Sequence, residues 1–303
     1  MEGKNPAERP TDRSLPATDT TLEQPSAGID VVIVAHNSGV HLAEAVESAV
    51  DQAGPGHVWV IDAESTDGSV AALHESSAPA KKALAESIHI LAVPNTGFAA
   101  GCNRGVQETN SSLILLLNPD AVLLPGALAA LTMTIGAEPR AGIVGALILD
   151  PDGTVQSDSY GRFPTLARVL AKHLRRAAVR PLAKSRRSPK QPMSTAQVDW
   201  VTGATMLVRR AAIAEVGPMD EGFFLYYEDV DWCHRMNDSG WKVMLEPTAR
   251  VLHYLGGSGS SQTIVAQAYR DSFYRYCKLH GLWGLKLVSR VGLALRRSLG
   301  GRP

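Results

Sequence analysis

Short apolar runs alternate with amphipathic stretches through the first half of the chain. Five apolar runs predict strands, at residues 29–35, 58–61, 88–93, 113–117 and 143–149. The spacing between them predicts helices that end near Gln52 and Thr109, a third that begins at Pro125, and a short one capped by Asp67 or Ser69. Nearly continuous apolar strands alternating with helices indicate a parallel sheet covered on both faces. The pattern therefore predicts an α/β fold.

The second half has a less regular pattern. We predict a strand over 199–208, two short strands at 243–245 and 251–253, and a helix entered near Glu228. Helical spacing resumes at Ile264.

The distribution of charge adds to this picture. The 303 residues include 30 basic and 30 acidic side chains, and 45% are hydrophobic, which excludes a globally disordered protein. Ten basic and no acidic residues lie between Ser159 and Val198, and seven basic and no acidic residues lie from Ser272 onwards. The remainder holds 13 basic and 30 acidic residues. We expect a basic surface that meets an anionic partner, separate from an acidic half that carries the chemistry.

Cysteine spacing and the apolar runs limit the environment. Cys102, Cys233 and Cys277 are far apart, which excludes a disulfide scaffold and a CxxC site and suits a reducing compartment. No apolar run reaches the roughly 18–20 residues of a membrane-spanning helix. Residues 1–27 are polar, hold four prolines and lack the apolar core of a signal peptide, so we expect a disordered tail and order from Ile29.

Polar clusters follow four of the predicted strands, where parallel sheets bind their ligands. The clusters are His36-Asn37, Asp62 to Asp67, Asn95 to Asn103 and Asn118 to Asp120. Asp62 and Asp67 are either turn acids or carboxylates that bind a base or a ribose. Asp120 is either part of an Asn-Pro turn or a ligand for a hard cation on a diphosphate.

Three glycines, Gly97, Gly101 and Gly105, are spaced by four residues. This spacing matches neither the dinucleotide fingerprint nor the phosphate loop, and it also suits close helix packing. Arg104 is a candidate phosphate contact.

The acidic segment after residues 223–227 is the main catalytic candidate. Glu228, Asp229 and Asp231 are either first-turn acids favoured by the helix dipole or a general-base cluster whose pKa the aromatic residues raise. Helical spacing separates Asp229 from the other two carboxylates. His253, which precedes a Gly/Ser-rich stretch, is either structural or a metal ligand on a closing loop.

Six motifs in series resemble those of family 2 inverting glycosyltransferases with a GT-A fold, and most of all their rhamnosyltransferase branch. The motifs are DVVIVAHNS, VIDAESTDGS, NTGFAAGCNRG, LLNPDAV, GATMLVRR and GFFLYYEDVDWCHR, and they span roughly residues 29–255. The resemblance implies a Rossmann-like, mixed but mainly parallel sheet with helices on both faces. Amphipathic helices would follow at the C-terminus.

The resemblance also implies roles for the matching residues. The nucleotide sugar would be contacted by Ala35, His36, Asn37, Asp62, Asn95, Gly97 and Asn103. Asp229 would be the base, while Glu228 and Asp231 position the acceptor or the helix. The family's DxD metal motif corresponds to Asn118-Pro119-Asp120, and this chain departs from it at Asn118. Binding of Mg²⁺ or Mn²⁺ would then depend mainly on Asp120 and the diphosphate, with His253 as an additional ligand.

The implied donor is dTDP-L-rhamnose, and the implied acceptor is a polyprenyl-diphospho-GlcNAc used in cell-wall linker synthesis of the arabinogalactan type. Such an enzyme would be peripheral, at the cytoplasmic face of the plasma membrane, with no nucleic-acid partner. Basic amphipathic patterns at 166–176 and 282–297 suit an anionic membrane surface, although solvated helices have similar patterns.

We divide the chain accordingly into the tail, a glycosyltransferase domain over 28–260 and a membrane-associating segment over 261–303. Residues 28–150 would hold the nucleotide sugar, and residues 151–260, with a basic insertion at 161–192, would hold the acceptor.

Three alternatives remain open from the sequence. The first is the same family with UDP-galactofuranose or UDP-GlcNAc as donor. The second is a nucleotidyltransferase, which would need a basic loop where His36-Asn37-Ser38-Gly39 supplies no Lys or Arg. The third is a non-enzymatic sugar-binding protein at a membrane surface.

Overall fold

The computed structural model describes residues 26–54, 56–73, 86–157, 159–165, 193–254, 262–285 and 287. The predicted basic helix over 166–176 lies outside these residues, as do nearly all of the predicted tail and most of the pattern over 282–297.

The elements follow the predicted alternation in the first half of the chain. The strands are β1 Ser26–Ala35, β2 Val58–Ala63, β3 Ile88–Val93, β4 Ser111–Leu117, β5 Ala121–Leu123, β6 Ala141–Leu149, β7 Tyr160–Gly161, β8 Ala196–Val198, β9 Trp200–Val201, β10 Thr205–Arg209 and β11 Lys242–His253. The helices are α1 His41–Ala53, α2 Phe98–Glu108, α3 Ala127–Ala137, α4 Arg210–Val216, α5 Glu228–Asp238 and α6 Gln262–Leu279.

One large sheet organises the fold, with strand order β3-β2-β1-β4-β10-β6-β11-β5 and β8 paired to the start of β11. Strands β1 to β4 are mutually parallel, and β6 is parallel to β11. Strand β10 is antiparallel to both β4 and β6. The carboxyl ends of β1, β2, β3, β4, β6 and β11 therefore meet at one edge, together with the start of β10.

Helices cover both faces of this sheet, as predicted. On one face, α1 and α3 pack Leu42, Val46, Leu131 and Ile135 against the strands. On the other face, α2, α4 and α5 contribute a second layer of buried side chains that includes Trp232. Strand β6 is buried along its whole length, which explains its unbroken apolar sequence. The expectation of a GT-A-like α/β sheet is confirmed in this architecture.

Several boundaries differ from the predictions. The 199–208 segment is not one strand: it contains all of the two-residue strand β9, a turn at Gly203 and β10 up to Val208. The two short strands at 243–245 and 251–253 are one strand, β11, with a register shift between Glu246 and Arg250. Here Pro247 removes a donor from the ladder. After Ser69, the described residues form only a single 3₁₀ turn at Ala71–Leu73. Strand β1 begins at Ser26, three residues before the predicted start.

Within the described residues, no helix combines the length and apolar character needed to cross a bilayer.

Candidate active site

The loops that follow β1 and β2 are joined by a network of hydrogen bonds. The His36 ring donates through Nδ1 to the Ala63 carbonyl at 2.6 Å. The side-chain oxygen of Asn37 accepts from the Thr66 amide at 2.8 Å, and Asn37 adopts a positive φ of 50°. Asp62 of β2 is paired with Ala35, the last residue of β1, in the parallel ladder between these strands. These predicted nucleotide residues therefore lie together at the carboxyl edge of the sheet.

The two acids after β2 make local contacts of different kinds. Asp62 accepts the Ser65 amide with Oδ1 at 2.9 Å, which fixes its carboxylate at the strand tip. Asp67 accepts the Gly39 amide at 2.8 Å and both polar groups of Ser69. Asp67 thus connects the two loops, and its predicted contact with substrate stays a prediction.

Gly97 permits a close approach between the loop before α2 and the segment before α5. Its φ is 114°, and a Cβ at this position would lie 2.6 Å from the Phe224 carbonyl oxygen. The next amide, of Phe98, donates to that same oxygen at 2.9 Å. Asn95 lies at the same edge, where its backbone N–H donates to the Glu64 carboxylate at 3.2 Å.

The remaining predicted residues of this region serve helix packing in the structure. A Cβ on Gly101 would collide with Val34, so the glycine spacing brings α2 close to β1. Asn103 is buried and uses its amide on the backbone of Met219 and on Glu221. Arg104 forms an ion pair with Glu108 on the same helix. Contacts of Asn103 and Arg104 with a donor stay predictions.

Asp120 and His253 lie side by side at the edge. The Asp120 Oδ1 atom is 3.1 Å from His253 Nε2, and the Asn118 side-chain amide donates to the same nitrogen at 3.2 Å. His253 is 7% exposed, and the Tyr254 amide donates to the Asp120 carbonyl at 3.0 Å. One carboxylate and one imidazole nitrogen form a mixed donor pair that fits a divalent cation.

The segment that enters α5 is conformationally strained. Tyr226 and Tyr227 both adopt left-handed backbone angles, with φ of 70° and 67°. Such angles cost a non-glycine residue about 1–3 kcal/mol and cluster at functional sites. The Tyr227 hydroxyl shares a hydrogen bond with Tyr269 of α6 at 3.1 Å.

The three carboxylates of α5 have different surroundings, in line with their helical spacing. Asp229 accepts the Gly203 amide at 2.8 Å and the Val230 amide at 2.7 Å. Burial raises the pKa of Asp229, although these two hydrogen bonds oppose the shift. Glu228 is buried, and its Oε2 atom has no hydrogen-bond partner among the described residues. Burial first, and then the charge of Asp229, raises the pKa of Glu228 well above its ordinary value.

Asp231 connects α5 to His280, the residue that follows α6. Its carboxylate accepts from Arg235 at 2.9 Å and from the His280 ring at 2.8 Å, and the residue is 2% exposed. Burial alone would raise the pKa of Asp231, but the hydrogen bonds from His280 and Arg235 hold it below its usual range. Of the two roles predicted for Asp231, these contacts favour positioning of the helix.

The carboxylate region and the Asp120 region form one site. The backbone N–H of Gly203 donates to Asp229. The carbonyl of the next residue, Ala204, accepts a hydrogen bond from the backbone N–H of Asn118 at 3.0 Å. Burial raises the pKa of Tyr226, and the charges of Glu228 and Asp120 raise it further. The Asp229 carboxylate and the Asp120–His253 pair therefore lie at the same edge of the sheet as the loops after β1 and β2.

Two residues of this site escaped the sequence analysis. Gly203 lay within a predicted strand, whereas its amide supports the Asp229 carboxylate. Gln156 accepts from the His253 ring, although it lies 97 residues away in sequence. Nothing in the local sequence pattern marks either contact, because both depend on how distant segments meet.

Two other features lie apart from the predicted site residues. His234, Asp238 and His280 form a cluster of possible metal ligands, but the two imidazole rings stack at 3.9 Å with an interplanar angle of 3°. The lone pairs of two parallel stacked rings do not converge on one ion. A cavity of about 550 Å³ is lined by Gly222, Phe224, Gln267, Ala268, Asp271, Ser272 and Arg275.

Comparison with known proteins identifies the family. The model of glycosyl transferase family 2 matches residues 30–217, which is more than half of the chain. The chain belongs to this family. It is a glycosyltransferase, and the expected resemblance is confirmed.

Among curated proteins, the glycosyltransferase is similar to the N-acetylglucosaminyl-diphospho-decaprenol L-rhamnosyltransferase of Mycobacterium tuberculosis. The identity is 30% over 296 residues, covering 89% of this chain and 92% of the relative. It is also 25% identical over 173 residues to the rhamnosyltransferase WbbL of Escherichia coli, covering 56% of this chain and 63% of that relative.

Solved structures agree with the fold of this glycosyltransferase. GalNAc-T7, whose structure holds UDP, GalNAc and Mn²⁺, matches with a TM-score of 0.59 at 18% identity, covering 83% of this chain and 48% of that one. The mannosyltransferase PcManGT from Pyrobaculum calidifontis, in complex with GDP-Man and Mn²⁺, matches with a TM-score of 0.51 at 15% identity, covering 78% and 58%. At these identities the likeness concerns the fold alone.

Proposed function

We propose that this glycosyltransferase moves L-rhamnose from dTDP-L-rhamnose to the GlcNAc of a polyprenyl-diphosphate acceptor in cell-wall linker synthesis. The support is the 30% identity to the mycobacterial L-rhamnosyltransferase, which extends over nearly the full length of both chains. UDP-galactofuranose and UDP-GlcNAc are the competing donors. The nucleotide would lie against the loops after β1 and β2, next to Asp62 and Asn37.

Asp229 is proposed as the general base. A base that removes a proton from the attacking hydroxyl works best when its pKa is raised toward the working pH, and burial acts in that direction here. The Gly203 and Val230 amides hold the carboxylate in one orientation. Asp229 would take the proton of a GlcNAc hydroxyl as the hydroxyl oxygen bonds to the anomeric carbon from one face. The bond from that carbon to the nucleoside diphosphate would break on the opposite face, which inverts the anomeric configuration.

Asp120 and His253 are proposed to hold a divalent cation. When bound, such an ion offsets the negative charge that develops on the leaving diphosphate. The imidazole favours Mn²⁺ over Mg²⁺, because Mg²⁺ takes oxygen ligands while transition metals also accept imidazole. Asn118, which stands where the family motif has an aspartate, contributes an amide instead of a second charge.

The substitution Asp229→Asn tests the proposed base. We expect turnover to fall by about a hundredfold or more, as for the loss of a general base, while dTDP binds with unchanged affinity in calorimetry. Asp238→Asn is the matched control, because Asp238 lies on the same helix with an exposed side chain. Turnover of the Asp229 variant near that of the control would refute the assignment.

The anionic membrane surface is proposed as the site where the enzyme meets its acceptor, on the cytoplasmic face. Leu279, at the end of α6, and Trp283 and Leu287, after the turn at Gly281, are 50%, 58% and 65% exposed. They lie within the acid-free basic stretch that begins at Ser272. Exposed Leu and Trp beside basic side chains suit an interfacial helix.

A further inference from the structure

Gln156 contacts the buried side of the His253 ring. Its side-chain oxygen accepts a hydrogen bond from His253 Nδ1 at 2.9 Å. Both residues are more than nine-tenths buried, with exposures of 8% and 7%. The opposite ring nitrogen, Nε2, lies 3.1 Å from Asp120 Oδ1 and accepts from the Asn118 side-chain amide at 3.2 Å.

Two contacts of the Gln156 side-chain amide decide which end of it meets the ring. The NH₂ group donates to Asp150 Oδ1 at 2.9 Å and points toward the His253 carbonyl at 3.4 Å. Both of these oxygens can only accept a hydrogen bond. The NH₂ group is thereby directed away from the ring, so the amide oxygen must face Nδ1.

Asp150 and Gln156 are positioned by the turn that follows β6. The backbone N–H of Asp150 donates to the Thr154 carbonyl at 2.8 Å, and the backbone N–H of Gln156 donates to the Ile148 carbonyl at 2.9 Å. The chain therefore turns back on itself after β6, beside the end of the parallel strand β11 that carries His253.

We propose that Gln156 is a positioning residue that keeps the ring proton of His253 on Nδ1, so that Nε2 holds the lone pair that a divalent cation would take in place of the Asn118 amide. Asp150 acts one step further out, by fixing the orientation of the Gln156 amide. The inference rests on the metal site proposed above. Hydrogen-bond partners of this kind typically change metal affinity by about 10–100-fold when they are lost.

The tautomer of His253 is the direct readout, and it requires no metal. In long-range ¹⁵N–¹H spectra at pH 8, where histidine side chains are ordinarily neutral, the wild-type ring is expected to carry its proton on Nδ1. In Gln156→Met, which keeps the length but removes the acceptor, we expect the proton to move to Nε2. A ring that stays protonated on Nδ1 in the variant would overturn the proposal.

Titration of the full-length protein with Mn²⁺, followed by the electron paramagnetic resonance of the free ion, gives the second readout. We expect Gln156→Met to weaken binding about 10–100-fold with a melting temperature close to wild type. The exchange Asp150→Asn with Gln156→Glu reverses the hydrogen bond between the two side chains, with the donor at 150 and the acceptor at 156. An oxygen at 156 can then still accept from Nδ1, so this double variant should recover most of the Mn²⁺ affinity that Gln156→Met loses. Failure of this rescue would show that Gln156 acts through packing and would also overturn the proposal.

The ligand variants separate this inference from the proposed metal site. Asp120→Ala and His253→Ala should each abolish saturable Mn²⁺ binding. If they do while Gln156→Met binds like wild type, only the inference about Gln156 fails. If both ligand variants bind Mn²⁺ like wild type, the proposed metal site itself fails, and the role of Gln156 fails with it.

Discussion

Glu228 shows how a single side chain reports on the chemistry around it. Its carboxyl group is buried beside that of Asp229, and one of its oxygens has no hydrogen-bond partner among the described residues. Burying a carboxylate oxygen without a partner is costly, and this cost favours the protonated form of the group. The two neighbouring acids therefore differ: Asp229 is held by two backbone amides, whereas Glu228 is not compensated in this way.

The Glu228→Gln variant tests this difference through the free energy of unfolding. The folded pKa of Glu228 is raised, so the folded state binds the proton more tightly than the unfolded state. Above about pH 4.3, the ordinary glutamate value, wild-type stability should fall relative to the variant as the pH rises. Urea unfolding of both proteins between pH 5 and pH 8 measures the effect. A difference that does not change with pH would contradict it.

At the scale of elements, Gly97 holds two functional segments together. Its positive φ and missing side chain let the loop before α2 meet the backbone of Phe224, four residues before α5 begins at Glu228. The orientation of α5, and with it that of Asp229, therefore depends on a backbone contact. Hydrophobic periodicity contains no information about such a contact.

The substitution Gly97→Ala should be more damaging than an alanine at another positive-φ glycine. Gly126 has a φ of 80° and open space around its missing side chain, so Gly126→Ala costs backbone strain alone, about 1–2 kcal/mol. Gly97→Ala adds a collision with Phe224, which should cost about 1–3 kcal/mol more and lower turnover. Equal free energies of unfolding for the two variants in urea would contradict the proposed contact.

The sequence predicted the first half of the sheet better than the second. Strands β1 to β4 are apolar runs joined to amphipathic helices, and each was predicted from its pattern. The break at Gly203 and the three-residue strand β5 were missed. Strand β5 exists because it pairs with the end of β11, about 130 residues further along the chain. Short segments of this kind take their structure from a distant partner.

The same limit applies to the candidate site. Motif resemblance identified Asp120, Asp229 and His253 as candidates, and the structure brings Asp120 and His253 to within 3.1 Å of each other. The second layer around them, including Gln156 and Gly203, depends on tertiary contacts and was not predicted. The side-chain amide of Asn103 holds the backbone of Met219, and its predicted contact with substrate stays a prediction.

At the scale of the whole molecule, the neutral net charge conceals two acid-free basic stretches and an acidic remainder. We expect truncation after Gly281, which removes Trp283, Leu287 and five basic residues, to reduce binding to anionic liposomes sharply in a flotation assay. Binding should also weaken with salt, since the basic residues contribute charge. Unchanged flotation of the truncated protein would exclude a role for this segment.

The most direct test of the central claim is the identity of the product. The purified enzyme would be incubated with Mn²⁺, a short-chain lipid-diphospho-GlcNAc and, in separate reactions, dTDP-L-rhamnose, UDP-galactofuranose or UDP-GlcNAc, followed by mass spectrometry. We predict a product that is one deoxyhexose heavier, formed from dTDP-L-rhamnose only. Transfer of a hexose or an N-acetylhexosamine from a UDP donor, with none from dTDP-L-rhamnose, would contradict the account.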